Sequence, residues 1–163
     1  MSQPKLIKLI SEFQSYENIE QLSKSDKNLM YMAIEARDKA YAPYSNFFVG
    51  AAILLANNLI ITGNNQENAA YPSGLCAERV ALFYAGANYP GVEILKIAIT
   101  ASSKQQITKE PIPPCGACRQ SISEYEVKQK QEIEIIFMGA EGKVVVSQSM
   151  SKLLPFVFDG SVL

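Results

Sequence analysis

All three cysteines of the chain stand in two short segments, Cys76-Ala77-Glu78-Arg79 and Pro114-Cys115-Gly116-Ala117-Cys118-Arg119, and the chain has no histidine. Whatever fold forms, the second segment is expected to return onto the first. Three thiolates are the protein ligand count of an open catalytic zinc site, whereas a structural site needs a fourth side chain to close the tetrahedron. With no histidine to supply it, water is the natural occupant of the fourth position. Glu78 follows Cys76 by two residues, near enough to reach that water without ligating the metal. Zinc lowers the pKa of a water it binds, and a carboxylate at hydrogen-bond distance can carry the proton.

A Cys-x-x-Cys pair alone is more often redox-active or structural, and three cysteines can also be one buried thiol beside an unrelated pair. The combination of Cys-x-Glu with Pro-Cys-x-x-Cys narrows the reading, because zinc deaminases carry it, some with three cysteines. Further segments extend the match: Tyr41-Ala42-Pro43-Tyr44-Ser45-Asn46-Phe47, Asn65-Gln66-Glu67-Asn68-Ala69, Gln120 after Arg119, and Leu153-Leu154-Pro155. On these residues the chain resembles the small, homotetrameric, zinc-dependent cytidine deaminases that act on free nucleosides. The resemblance covers roughly residues 26–160 and keeps the family's order. Relatives acting on nucleotides, tRNA or polynucleotides have histidine where Cys76 stands, so its absence here argues against them.

The resemblance implies one zinc per chain and hydrolytic deamination of cytidine and deoxycytidine to uridine and deoxyuridine, a step of pyrimidine salvage. It implies Cys76, Cys115 and Cys118 as metal ligands and Glu78 as the proton carrier, with Arg79 hydrogen-bonded to a ligand sulfur. Three thiolates and Zn²⁺ sum to a net negative charge, which a nearby cation offsets; Arg119 is a weaker candidate for that task. For the substrate it implies Phe47 beside the base, Asn65 and Glu67 on the ribose 3′-hydroxyl, and backbone groups of Ala69 and Ala77 at the base. It also implies that Phe158, three residues after Pro155, reaches the site of a neighbouring subunit in a homotetramer. Phe48 stands where the family usually has proline. The bland alternatives are loop capping by Asn65 and Glu67, core packing by Phe47 and a surface ion pair for Arg79.

Two other readings stay open on the sequence. A deaminase for a cytosine-bearing antibiotic shares the cysteine motifs, and a zinc-binding interaction module without catalysis would need a fourth protein ligand.

At 163 residues the chain is expected to form a single domain, with 1–24 as an amino-terminal extension and 26–160 as the family-like core. Its net charge of −1 gives no basic face for nucleic acid. The longest apolar run, residues 49–56, is far short of a membrane span. The amino terminus lacks a signal-peptide pattern and the cysteines sit at metal-like spacing, so a cytoplasmic protein is expected.

Leu6, Leu9, Ile10 and Phe13 at helical spacing predict a short amphipathic helix over residues 5–16. A second helix, capped by Ser25, is expected to end at Pro43. Apolar runs over 49–55 and 59–62 predict a hairpin, and 63–74 an irregular loop. A helix is expected from Leu75 to Ala85, stopped at Gly86, then a doubly covered strand over 94–101. A third long helix is expected from Cys115 to Lys128, then strands over 132–138 and 143–147 and a short helix from Ser149. The four residues between those last strands suit a hairpin, so the two should be antiparallel. The sum is an α/β fold: a three-layer α/β/α sandwich around a five-stranded mixed sheet.

Overall fold

The computed structural model of the protein describes residues 3–162. In chain order its elements are β1 (Gln14–Tyr16), α1 (Lys24–Arg37), β2 (Phe47–Leu55), β3 (Ile60–Asn64), α2 (Ala77–Asn88), β4 (Ile94–Ser103), α3 (Gly116–Gln129), β5 (Glu134–Met138) and β6 (Val144–Ser147). One mixed sheet runs in the order β1-β6-β5-β4-β2-β3. Among the described strands only the neighbours β4 and β5 are parallel, joined by the crossover through α3. The hairpins β2–β3 and β5–β6 are antiparallel, as their short connections require.

Strand alternation divides the core into two layers. Ile53, Ile97, Ile99, Ile135 and Phe137 face Ala81, Leu82 and Ile122 of α2 and α3, while Ala52, Ala98, Ile136 and Met138 face Leu29, Met30 and Ala33 of α1. Each fully buried Leu, Ile or Met contributes about 1.5–3 kcal/mol. Close approach of the helices needs glycine in the strands. A Cβ on Gly50 would lie 2.0 Å from the Ala33 carbonyl oxygen, and one on Gly63 would lie 2.6 Å from that of Ala77. No helix among the described residues is long and apolar enough to cross a membrane.

The sheet has six strands where five were expected, and the extra one comes from the stretch predicted to be helical. Residues 3–13 form neither helix nor strand, and 14–16 pair with β6 as an edge strand. Leu6, Ile7, Leu9 and Ile10 remain exposed. The helical spacing has no apolar surface to lie on, and a helix this short does not persist in water by itself.

Smaller corrections have local causes. Ser23, and not Ser25, caps α1: its Oγ accepts from Asp26 N at 3.1 Å and donates to the Asp26 carboxylate at 2.6 Å. α1 stops at Arg37, well before Pro43, because Asn64 Nδ2 takes the Ala36 carbonyl and Tyr41 pairs with Gln66 as a bridge. Gly86 does not end α2; it lies within it, where a Cβ would come 2.2 Å from the Tyr125 hydroxyl of α3. The expected helix after Ser149 is a single turn, Met150–Lys152.

Candidate active site

Cys76 is the N-cap residue of α2 and Cys115 that of α3, with Cys118 in the first turn of α3. Both helix starts present unpaired N–H groups and partial positive charge, which favours thiolates. Neither cap sulfur is spent on a capping hydrogen bond. The three Sγ atoms lie within 4.8 Å of one another, and those of Cys76 and Cys115 are 3.9 Å apart. Tetrahedral zinc with bonds of about 2.3 Å separates its sulfur ligands by about 3.8 Å, so the donor set fits zinc in both chemistry and spacing. Among the described residues the group holds three ligands and no fourth.

Hydrogen bonds from the Cys118 thiol, the Arg79 guanidinium and the Cys115 thiol bring the Cys76 pKa down to about 5 against the opposing effect of burial. The contact with Cys76 and burial push the Cys118 thiol up. Arg79 reaches back one turn of α2 to donate to Cys76 Sγ at 3.9 Å. Burial works against its charge, but Cys76 and Cys118 outweigh it and hold the guanidinium above its ordinary value. Its Nε is buried without a partner among the described residues. Arg119 does not join the sulfurs: its donors go to the carbonyls of Pro114 and Leu153.

Glu78, in the first turn of α2, is 4% exposed. Burial pushes its carboxyl up to about 6, and the charge of Cys76 adds to the effect. A carboxyl titrating close to neutrality can both take and return a proton.

A cleft of about 650 Å³ is lined by Cys76, Cys115, Glu78 and Arg79 together with Phe47, Asn65 and Glu67. Tyr44 and Tyr71, to which the sequence reading gave no role, also line it and meet edge to face at 6.3 Å. The only local signal for them is an aromatic beside proline in each flanking loop, at Pro43 and Pro72. Asn65 spends its amide on the backbone of β2, donating to the Phe47 carbonyl at 2.9 Å and accepting from Val49 N at 2.8 Å. Glu67 accepts from Tyr44 N at 2.9 Å, from Ser45 N at 3.3 Å and from the Ser45 hydroxyl. The Ser45 contact holds its carboxylate below the ordinary range. Phe48 continues the strand, paired with Ser102, and its ring lies under the Lys104 ammonium at 5.0 Å.

Of the residues expected at the substrate, Ala69, Ala77 and Phe158 do not line this cleft. Ala77 is fully buried at the start of α2, Ala69 is exposed on the loop before Cys76, and Phe158 is 62% exposed in the tail.

The chain matches the model of the cytidine and deoxycytidylate deaminase zinc-binding region over residues 23–131, which include all three cysteines. It is 40% identical over 130 residues to the cytidine deaminase of Halalkalibacterium halodurans, a match covering 80% of this chain and 91% of that one. The cytidine deaminase of Sporosarcina psychrophila is 39% identical over 125 residues, covering 76% and 84%. The crystal structure of cytidine deaminase from Burkholderia pseudomallei superposes with a TM-score of 0.70 at 42% identity, covering 84% of this chain and all of that one. With the cysteine cluster at zinc spacing and a match along most of its length, the chain belongs to the cytidine and deoxycytidylate deaminase family.

Proposed function

We propose that the protein hydrolyses cytidine and deoxycytidine to uridine and deoxyuridine with release of ammonia. The observation that carries this is the placement of Glu78: a buried carboxyl lining the cleft, two residues from a sulfur of the metal cluster, with burial raising its pKa to about 6. Cys76, Cys115 and Cys118 would hold one zinc per chain. Bound zinc supplies a Lewis acid that lowers the pKa of a water in its open position.

Glu78 takes a proton from the attacking water and delivers it to N3 as the oxygen bonds to C4. A second proton then passes through Glu78 to the amine, which leaves as ammonia, and the C4 oxygen becomes the carbonyl of uracil. Arg79 offsets the negative charge of the three thiolates. Phe47 stands against the base. Asn65 and Glu67, which line the cleft, receive the ribose.

The finer reading is a cytoplasmic homotetramer of single-domain chains serving pyrimidine salvage, with sites shared between subunits. What supports sharing is the tail: the Phe158 ring is left largely exposed by its own chain and lies outside that chain's cleft. Phe83 and Tyr84 on the outer side of α2 add exposed aromatic surface for assembly. Incubating the purified zinc-loaded protein with cytidine tests the activity: uridine and ammonia are expected in equal amounts. Loss of neither cytidine nor deoxycytidine would overturn the assignment.

A further inference from the structure

Two adjacent residues of α3 make three hydrogen bonds that join the metal loop to the carboxyl-terminal tail. Arg119 Nε donates to the Pro114 carbonyl at 2.8 Å, and its Nη1 donates to the Leu153 carbonyl at 2.9 Å. Gln120 Nε2 donates to the Phe158 carbonyl at 2.7 Å. Pro114 directly precedes the ligand Cys115, so one guanidinium spans the metal loop and the start of the tail. Gln120 pins the far end.

Between these two anchors the backbone is strained. Phe156 has a φ of 56°, left-handed for a bulky side chain, and such a conformation persists only where its surroundings impose it. Ring packing within the chain does not impose it, since Phe156 is 82% and Phe158 62% exposed. What remains is the pair of anchors from α3.

We infer that Arg119 and Gln120 are positioning residues that latch the tail onto α3 and tie it to the metal loop, so that Phe158 is presented to a second copy of the chain in one shape. A planar fork donating to two carbonyls fixes both distance and direction, which a flexible ammonium does not. The latch stands on hydrogen bonds within one chain. Its effect on catalysis rests on the proposed sharing of Phe158.

The test separates the two. In full-length, zinc-loaded protein carrying Phe158→Ala, the ring is gone but the backbone carbonyl held by Gln120 remains. Chymotrypsin cleavage after Phe156, measured relative to cleavage after Phe13, then reads tail order without any contribution from a neighbour's cleft. Adding Gln120→Ala is expected to speed that cleavage about threefold to tenfold, the shift in local opening that one lost hydrogen bond produces. Equal cleavage rates would overturn the latch.

With Phe158 intact, Gln120→Ala is expected to raise KM for cytidine by a similar factor while kcat and zinc content hold. Arg119→Lys, which keeps the charge but not the fork, should act in the same direction. Faster cleavage with an unchanged KM would support the latch and refute the sharing of Phe158.

Discussion

Asn65 holds Phe47 in place: the side-chain amide of one donates to the backbone carbonyl of the other at 2.9 Å, and the amide oxygen accepts from Val49 N two residues further on. The start of β2 is therefore fixed by the residue that follows β3. Asn65→Ala should leave both backbone groups short of a partner. A loss of about 1–3 kcal/mol in urea unfolding is expected, together with a raised KM. A raised KM with unchanged stability would mean that Asn65 acts on the substrate and not on β2.

The cysteine cluster joins two helix starts, so metal and fold should depend on each other. Cys118→Ala and Cys115→Ala are each expected to lose zinc by metal analysis and to lower the unfolding midpoint. Full zinc content with parental stability in either variant would contradict the proposed ligand set.

Gly50 marks where α1 lies against the sheet. Its missing side chain leaves room for the Ala33 carbonyl, which a Cβ would approach to 2.0 Å, and for Arg37 N at 2.5 Å. Both are backbone atoms of a helix and cannot swing aside. Gly50→Ala is expected to destabilise by about 1–3 kcal/mol, as overpacking does elsewhere, read by thermal or urea unfolding. No change would show that α1 can shift freely over β2.

Phe158→Ala should raise KM for cytidine and leave zinc content unchanged, because the ring does not line its own chain's cleft and is proposed to stack on pyrimidine in a neighbour's. An aromatic stack adds roughly 1 kcal/mol beyond its burial. Kinetics indistinguishable from the parent's, or full activity in a monomer by analytical ultracentrifugation, would contradict a shared site.

Much of this was legible locally. The cysteines, Glu78 and Arg79 stand at fixed offsets on two helix starts, and both hairpins follow from the short polar links between apolar runs. Features set by remote partners were not legible. Leu6, Leu9, Ile10 and Phe13 repeat as a helix would, yet 14–16 became a strand because β6 offers an open edge. Gly86 reads as a helix stop, and only Tyr125 on another helix explains why it lies inside α2. Arg119 reads as a counter-charge for the sulfurs, but its donors found carbonyls at Pro114 and Leu153. The resemblance implies Asn65 and Glu67 as ribose ligands, while their own hydrogen bonds to the backbone around Phe47 appear only once the chain is folded.

The central claim is that Glu78 carries the protons of a hydrolytic deamination, and single-turnover conversion of cytidine by Glu78→Gln tests it most directly. The amide matches the carboxyl in shape but cannot exchange protons in the same way. Zinc content and cytidine binding should persist, while conversion falls by several orders of magnitude, since each proton transfer is worth about 10²–10⁴ in rate. A variant that converts cytidine within about tenfold of the parent rate would show that Glu78 is not the proton carrier.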